Sequence, residues 1–329
     1  MYIGARSLMA PVGLVVLTVA LSACTTAPTP PAVASVTLSG TNNLKINEPS
    51  QLTAVAKDAS GNVLTGKTFS FTSSNPDVVT VDANGNVTAN RLTSDNTPVT
   101  ITASVDGKTS NQFNVTTYGL EFAVGTFNRS ALGMSNTFAH FVKLRLPDGS
   151  FPPAGSGLDI TGPGDWNGGV PDTGLTINRG TAQSAIGLNT NPATPGIYNA
   201  STTIAGQTYT ASATLDASSL LPPVTNVQVT NVTASDVTVT WSPAVGAAMY
   251  IPFIVDCGTT VNPTPAMCTT TVLATLPTGT SANFTGLSLN PTHTYAVLIR
   301  AVNVNTREAN PATPPQLKVS QNGVFFRLP

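Results

Sequence analysis

Short runs of alternating apolar and polar residues, cut every few positions by Gly, Asn, Asp or Pro, recur along these 329 residues. Leu52, Ala54 and Ala56 alternate with polar neighbours, and Asp58-Ala-Ser-Gly-Asn62 then breaks the run. Thr68-Phe-Ser-Phe-Thr72, Val78-Val-Thr-Val81, Val87-Thr-Ala89 and Val99-Thr-Ile-Thr-Ala103 follow, with the turn Asp82-Ala-Asn-Gly-Asn86 among them. A period of two puts apolar side chains on one face of a strand, and turn residues at this spacing bring such strands together as a sandwich. Long helical periodicity is absent. Charged residues make up only 9% of the chain, which is filled instead by Thr, Asn, Ser, Val, Gly and Pro. The expected fold class is all-β, with tandem β-sandwiches.

The N-terminus reads differently. Arg6 precedes an apolar run over residues 12–21, and Ser22-Ala23 are small enough for a peptidase cleft. A spanning helix needs about 20 apolar residues. Only 17 positions separate Arg6 from Cys24, and Pro11 and Gly13 disfavour a long helix there. Leu21-Ser22-Ala23-Cys24 resembles the lipobox of bacterial lipoproteins, which implies cleavage after residue 23 and acylation of Cys24. One acyl chain holds a protein only marginally, whereas a multiply acylated Cys binds a membrane stably. Thr25, not an acidic residue, follows the Cys, and in lipoproteins of diderm bacteria that implies export to the outer membrane. The expected location is extracytoplasmic and lipid-anchored, at the outer membrane or cell surface.

With Cys24 assigned to lipid, Cys257 and Cys268 remain as an even pair, expected to form one disulfide in an oxidising compartment. Two free thiols are the alternative. A structural zinc needs four ligands, and two Cys without a neighbouring His fall short, so no metal is expected. Loss of Arg6 with the leader leaves about 13 basic against 15 acidic side chains, a net charge of about −2. Such a surface has no electrostatic footprint for nucleic acid.

Residues 24–33, rich in Thr and Pro, are expected to form a semi-extended linker. Residues 34–117 form a first module. Its Gln51-Leu-Thr-Ala54, Phe71-Thr-Ser-Ser-Asn-Pro76, Val81-Asp-Ala-Asn-Gly85, Val87-Thr-Ala89 and Ile101-Thr-Ala103 resemble the bacterial Ig-like group 2 domain. Phe71 stands where that family commonly has Trp, and Ser94-Asp-Asn-Thr-Pro98 replaces a Gly-rich approach. Asp82-Ala-Asn-Gly-Asn86 is a turn, not an EF-hand, since its Gly follows Asn84 directly and no Glu lies at the required distance.

Residues 219–329 form the last module. Val237, Val239 and Trp241 share one parity and point to one core. Leu289-Asn-Pro-Thr-His-Thr-Tyr295, followed by Val297, Ile299 and Ala301, resembles the tyrosine corner of a fibronectin type III domain, in which the Tyr hydroxyl bonds to nearby backbone. The Cys-containing segment between Asp256 and Leu276 departs from that pattern. It is read either as a loop stiffened by its disulfide or as a binding feature.

Residues 118–218 are expected to form another Ig-like sandwich. His140, Val142, Leu144 and Leu146 alternate with Phe141, Lys143 and Arg145, and Tyr209-Thr-Ala-Ser-Ala-Thr-Leu215 closes a last hairpin. The loop Gly162-Pro-Gly-Asp-Trp-Asn-Gly-Gly169 places Trp166 between Asp165 and Asn167. Trp166 is a candidate ligand contact, able to stack on a sugar face while its neighbours bond hydroxyls. One aromatic is not a platform, however, and the favoured reading is that it folds back over one end of the sandwich.

No catalytic constellation emerges. His140 lies on a strand and His293 inside the tyrosine-corner segment. No Gly-x-Ser-x-Gly elbow occurs, and the glycines have neither dinucleotide nor phosphate-loop spacing. A glycosidase would need two carboxylates within about 5–10 Å in a cleft. The chain is therefore read as a non-catalytic envelope lipoprotein without cofactors, acting as a spacer, adhesion or protein-interaction module. The alternative is a polysaccharide-binding lipoprotein that uses the middle module. As independent modules, the three would be separable by proteolysis near Thr117 and Ser218.

Overall fold

The computed structural model describes residues 30–94, 97–176, 184–216, 220–268, 270–273, 276–306 and 312–329. The leader, Cys24, the linker up to residue 29 and Ser218 lie outside the described residues. The fold is all-β, a tandem of β-sandwiches.

The first module contains β1 (Ser35–Ser39), β2 (Asn43–Lys45), β3 (Pro49–Gln51), β4 (Thr53–Lys57), β5 (Val63–Leu64), β6 (Ser70–Ser73), β7 (Val79–Val81), β8 (Asn86–Ala89), β9 (Val99–Val105) and β10 (Lys108–Thr109). Strand β9 alternates buried and half-buried along its whole length, as the sequence period requires. Its inward residues Val99, Ile101 and Ala103 meet Val36, Leu38, Leu52 and Val87 in one core. The turn between β7 and β8 is built by Asp82, whose Oδ1 accepts the N–H groups of Asn84 and Asn86. Gly85 there has φ +81°, and a Cβ would lie 2.7 Å from the Leu52 carbonyl oxygen, so glycine is required twice over.

Strand β11 (Phe113–Asn128) leaves this module without a break. Its first residues pair with β9, residues Thr116 to Tyr118 pair with β2, and Gly119 to Phe127 pair antiparallel with β12 (Thr137–Arg145) of the middle module. The expected boundary at residue 117 thus falls inside a strand. The middle sandwich adds β13 (Gly157–Thr161), β14 (Asp172–Thr176), β15 (Ser184–Leu188), β16 (Gly196–Ile204) and β17 (Gln207–Leu215). One sheet runs β14-β13-β16-β17; the other is made by β11, β12 and β15. Leu120, Phe122, Phe138, Leu158, Ile160 and Tyr198 fill the space between.

The last module consists of β18 (Thr225–Thr230), β19 (Val237–Ser242), β20 (Met249–Asp256), β21 (Thr270–Leu273), β22 (Ser281–Phe284), β23 (Tyr295–Val302) and β24 (Leu317–Phe326). Val237, Val239 and Trp241 are buried together, and the N–H of Asn290 donates to the Tyr295 hydroxyl at 2.7 Å, making the expected corner. Strand β24 pairs with β23 on one side and, in parallel, with β11 on the other, Gly125 facing Leu317. One sheet therefore runs through two modules in the order β15-β12-β11-β24-β23-β20-β21. All nine residues of β12 are buried, because its even face belongs to the middle core while Ala139 and Phe141 join Ala123, Phe127, Met249, Val302, Leu317 and Val319 in a junction core. Among the described residues, β11 joins the first module to the middle one and its pairing with β24 joins the middle one to the last.

Candidate functional site

Glu121 and Lys143 stand directly opposite each other on β11 and β12, on the face turned away from the middle core. A cross-strand pair at this register places opposite charges within reach, and Lys143 Nζ lies 3.1 Å from Glu121 Oε2 with both side chains almost fully buried. The carboxylate gathers contacts from every module. Its Oε1 accepts the Leu92 N–H of the first module, and its Oε2 accepts the Thr313 hydroxyl of the last. Burial pushes the Lys143 pKa down from its ordinary value, with the Glu121 charge opposing that shift.

The same region is braced by backbone and hydroxyl contacts. Thr93 and Thr117 exchange N–H to hydroxyl bonds at 2.6 and 3.2 Å, and the Thr117 hydroxyl donates to the Arg91 carbonyl at 2.9 Å. At the far end of β11, Asn128 donates to the Leu221 carbonyl at 3.0 Å, while Ser320 and Asn322 hold the carbonyls of Pro222 and Val224. The segment entering the last module is thereby pinned to both shared strands. Arg300 adds a stack, its guanidinium lying 5.3 Å from the Phe127 ring centre and 5.2 Å from that of Phe253.

A cleft of about 250 Å³ opens beside Glu121, between Arg91 of the first module, Ser212 of the middle one and Thr313 of the last. A second surface feature lies on the last module. Cys257 and Cys268 are joined by a disulfide across 11 positions. Cys257, with Cys268 packed against it, covers an apolar sheet face formed by Phe253, Val255, Ala296 and Leu298, and Leu132 reaches the same cluster from the middle module. His293 Nδ1 lies 2.9 Å from Asp256 Oδ2, and Asp256 Oδ1 accepts the Gly258 N–H, so the pair pins the start of the disulfide loop. Closing so short a loop stabilises the module by roughly 2–3 kcal/mol.

Trp166 is not a sugar platform. It is 4% exposed, sits edge-on against Phe138 and Tyr198 at 5.0 and 5.2 Å, and its Nε1 donates to the Pro192 carbonyl at 3.0 Å. Gly162 makes room for the indole, since a Cβ there would meet it at 2.6 Å. The reason is apolar burial: the ring closes the end of the middle core and its N–H finds an acceptor inside. His140 is likewise buried, its ring stacked 6.0 Å from Phe138 and filling the space left by Gly187. Among the described residues no three His, Cys, Asp or Glu side chains gather as metal ligands, and no helix is long and apolar enough to cross a membrane. The sequence reading missed Glu121, Arg91 and Thr313. The available signal was an unbroken apolar stretch around a lone acid, Leu120-Glu-Phe-Ala-Val124.

Residues 222–316 match the family model of the fibronectin type III domain. No curated protein matches the chain. Among solved structures, the chain is similar to the fibronectin type III domain of the human collagen alpha-1(XX) chain, at 19% identity over 35% of this chain and 90% of that one, with a TM-score of 0.24. A segment of two fibronectin type III domains from chicken tenascin is similar at 14% identity over 64% of this chain and 98% of that one, TM-score 0.23. An Escherichia coli adhesin is similar at 15% identity over 87% of this chain and 96% of that one, TM-score 0.20. At such scores these likenesses carry no argument about what the chain does.

Proposed function

We propose that the chain is a non-catalytic cell-envelope lipoprotein that displays a stiff protein-interaction or adhesion module at the cell surface. One observation carries this reading: strand β24 of the fibronectin-like module completes the sheet of the middle module through β11, so the sandwiches present a fixed composite surface. Arg6, the apolar run and the lipobox-like Leu21-Ser22-Ala23-Cys24 support export and acylation at Cys24, with the membrane held through that lipid. The Cys257–Cys268 bridge fits an oxidising compartment. Residues 34–117 then serve as a bacterial Ig-like group 2 domain nearest the membrane. The partner is an envelope or cell-surface protein.

Metabolic labelling with a fatty acid tests the anchor. Label on the full chain, its loss in Cys24→Ala and release of that variant from the membrane are expected; label retained by Cys24→Ala refutes the anchor. Affinity capture from intact envelopes tests the partner, and recovery of nothing beyond a control chain would refute the interaction role.

A further inference from the structure

The cleft at the three-module junction has chemistry that its structural role does not use. Arg91 lines it, partly buried, with Nε closed off from solvent and without a hydrogen-bond acceptor. Among the described residues no carboxylate forms an ion pair with Arg91. The neighbouring acid is already satisfied: both oxygens of Glu121 are occupied by Leu92, Thr313 and Lys143. Glu121 already faces Lys143, so among the described lining residues of the cleft no carboxylate is left to meet the Arg91 guanidinium. A partly desolvated cation without a counter-ion is costly, and an anion supplied from outside offsets that cost.

The remaining wall decides what kind of anion fits. Asn47 and Asn90 line it with amides, and Ser212 and Thr313, whose hydroxyls donate to Asn199 and Glu121, add acceptor oxygens over a floor that includes Phe122. Amides pair with ring hydroxyl groups in both directions, and the two hydroxyl oxygens accept from them. A volume of about 250 Å³ is below the roughly 300–1,000 Å³ of sites for drug-sized ligands. It suits one sugar ring. The walls are held in place from behind, since the Asn47 N–H donates to the Ala89 carbonyl and the Ile46 N–H to that of Tyr118.

We propose that this cleft binds one acidic sugar unit, a hexuronate of a polysaccharide, with Arg91 on the carboxylate and Asn47, Asn90 and Ser212 on the hydroxyls. It is a different place from the Trp166 loop. The site also stands apart from the membrane anchor, so failure at one leaves the other untouched.

Calorimetric titration of the full-length chain in detergent micelles tests it, with D-glucuronate as probe, D-glucose as the uncharged comparison and N-acetyl-aspartate amide as the peptide-like acid. Saturable binding of one glucuronate per chain is expected, with glucose weaker by about tenfold or more, the usual scale for losing a charge-assisted bond. Arg91→Gln should weaken glucuronate by a similar factor. Ser212→Trp, at an exposed strand position, should block the cleft while leaving the melting temperature unchanged. Equal binding by the wild type and Ser212→Trp, tighter binding of the aspartate derivative than of glucuronate, or no saturable binding would each overturn the proposal.

Discussion

Lys143 is buried against the Glu121 carboxylate, and that makes its contribution to stability conditional on its partner. Removing one member of a buried pair strands the other, at a cost of about 3–5 kcal/mol, whereas replacing both is close to neutral. Lys143→Met alone should therefore destabilise the chain by that amount in chemical denaturation. Combining it with Glu121→Gln, which keeps an acceptor for the Leu92 N–H, should recover most of the loss. The pH dependence has a definite sign. Because the folded Lys143 pKa lies below the ordinary 10.5, the unfolded chain binds more protons between those two values, so stability rises with pH across that window. Below it the contribution is constant, and Lys143→Met should lack the rise. Trp241 and Tyr295 act in the last core: Trp241→Ala should cost about 3–5 kcal/mol, and Tyr295→Phe about 1–3 kcal/mol because the Asn290 N–H loses its acceptor.

Strands β11 and β24 approach each other at Gly125, where a Cβ would fall 1.5 Å from the Leu317 carbonyl oxygen. A backbone atom cannot step aside as a side chain does. Gly125→Val should split this pairing and cost at least about 2 kcal/mol, with amides of Leu317 to Ser320 losing hydrogen-exchange protection. This joint was the part of the fold hardest to read from sequence. Strands such as β9 and β19 were legible because one face is buried and one is not, so their residues alternate. Strand β12 is buried on both faces, and Lys143 and Arg145 imitate a polar face there although both are buried, as is His140 on the opposite face. For Trp166 the sequence offered two readings, and the inward one holds: its polar, glycine-rich neighbours suggest exposure, but Gly162 is small so that the indole can turn inward. The site at Glu121 draws on residues 91, 121 and 313, a separation that no local spacing encodes.

Across the whole molecule, the shared sheet, the junction core and the three-way contact at Glu121 imply that the modules unfold together. Thr117, where an open linker would invite a protease, is fully buried within β11. In a chain of independent sandwiches each module would turn on its own, whereas here one sheet fixes the middle and last modules against each other. Scanning calorimetry of the wild type against Trp241→Ala tests that claim most directly. Because Trp241 lies only in the last core, any effect on the middle module must pass through the joint. One transition comprising the middle and last modules is expected, displaced downward as a unit by on the order of 10 °C for a loss of this size. Separate transitions, with the middle module melting at its wild-type temperature in Trp241→Ala, would contradict it.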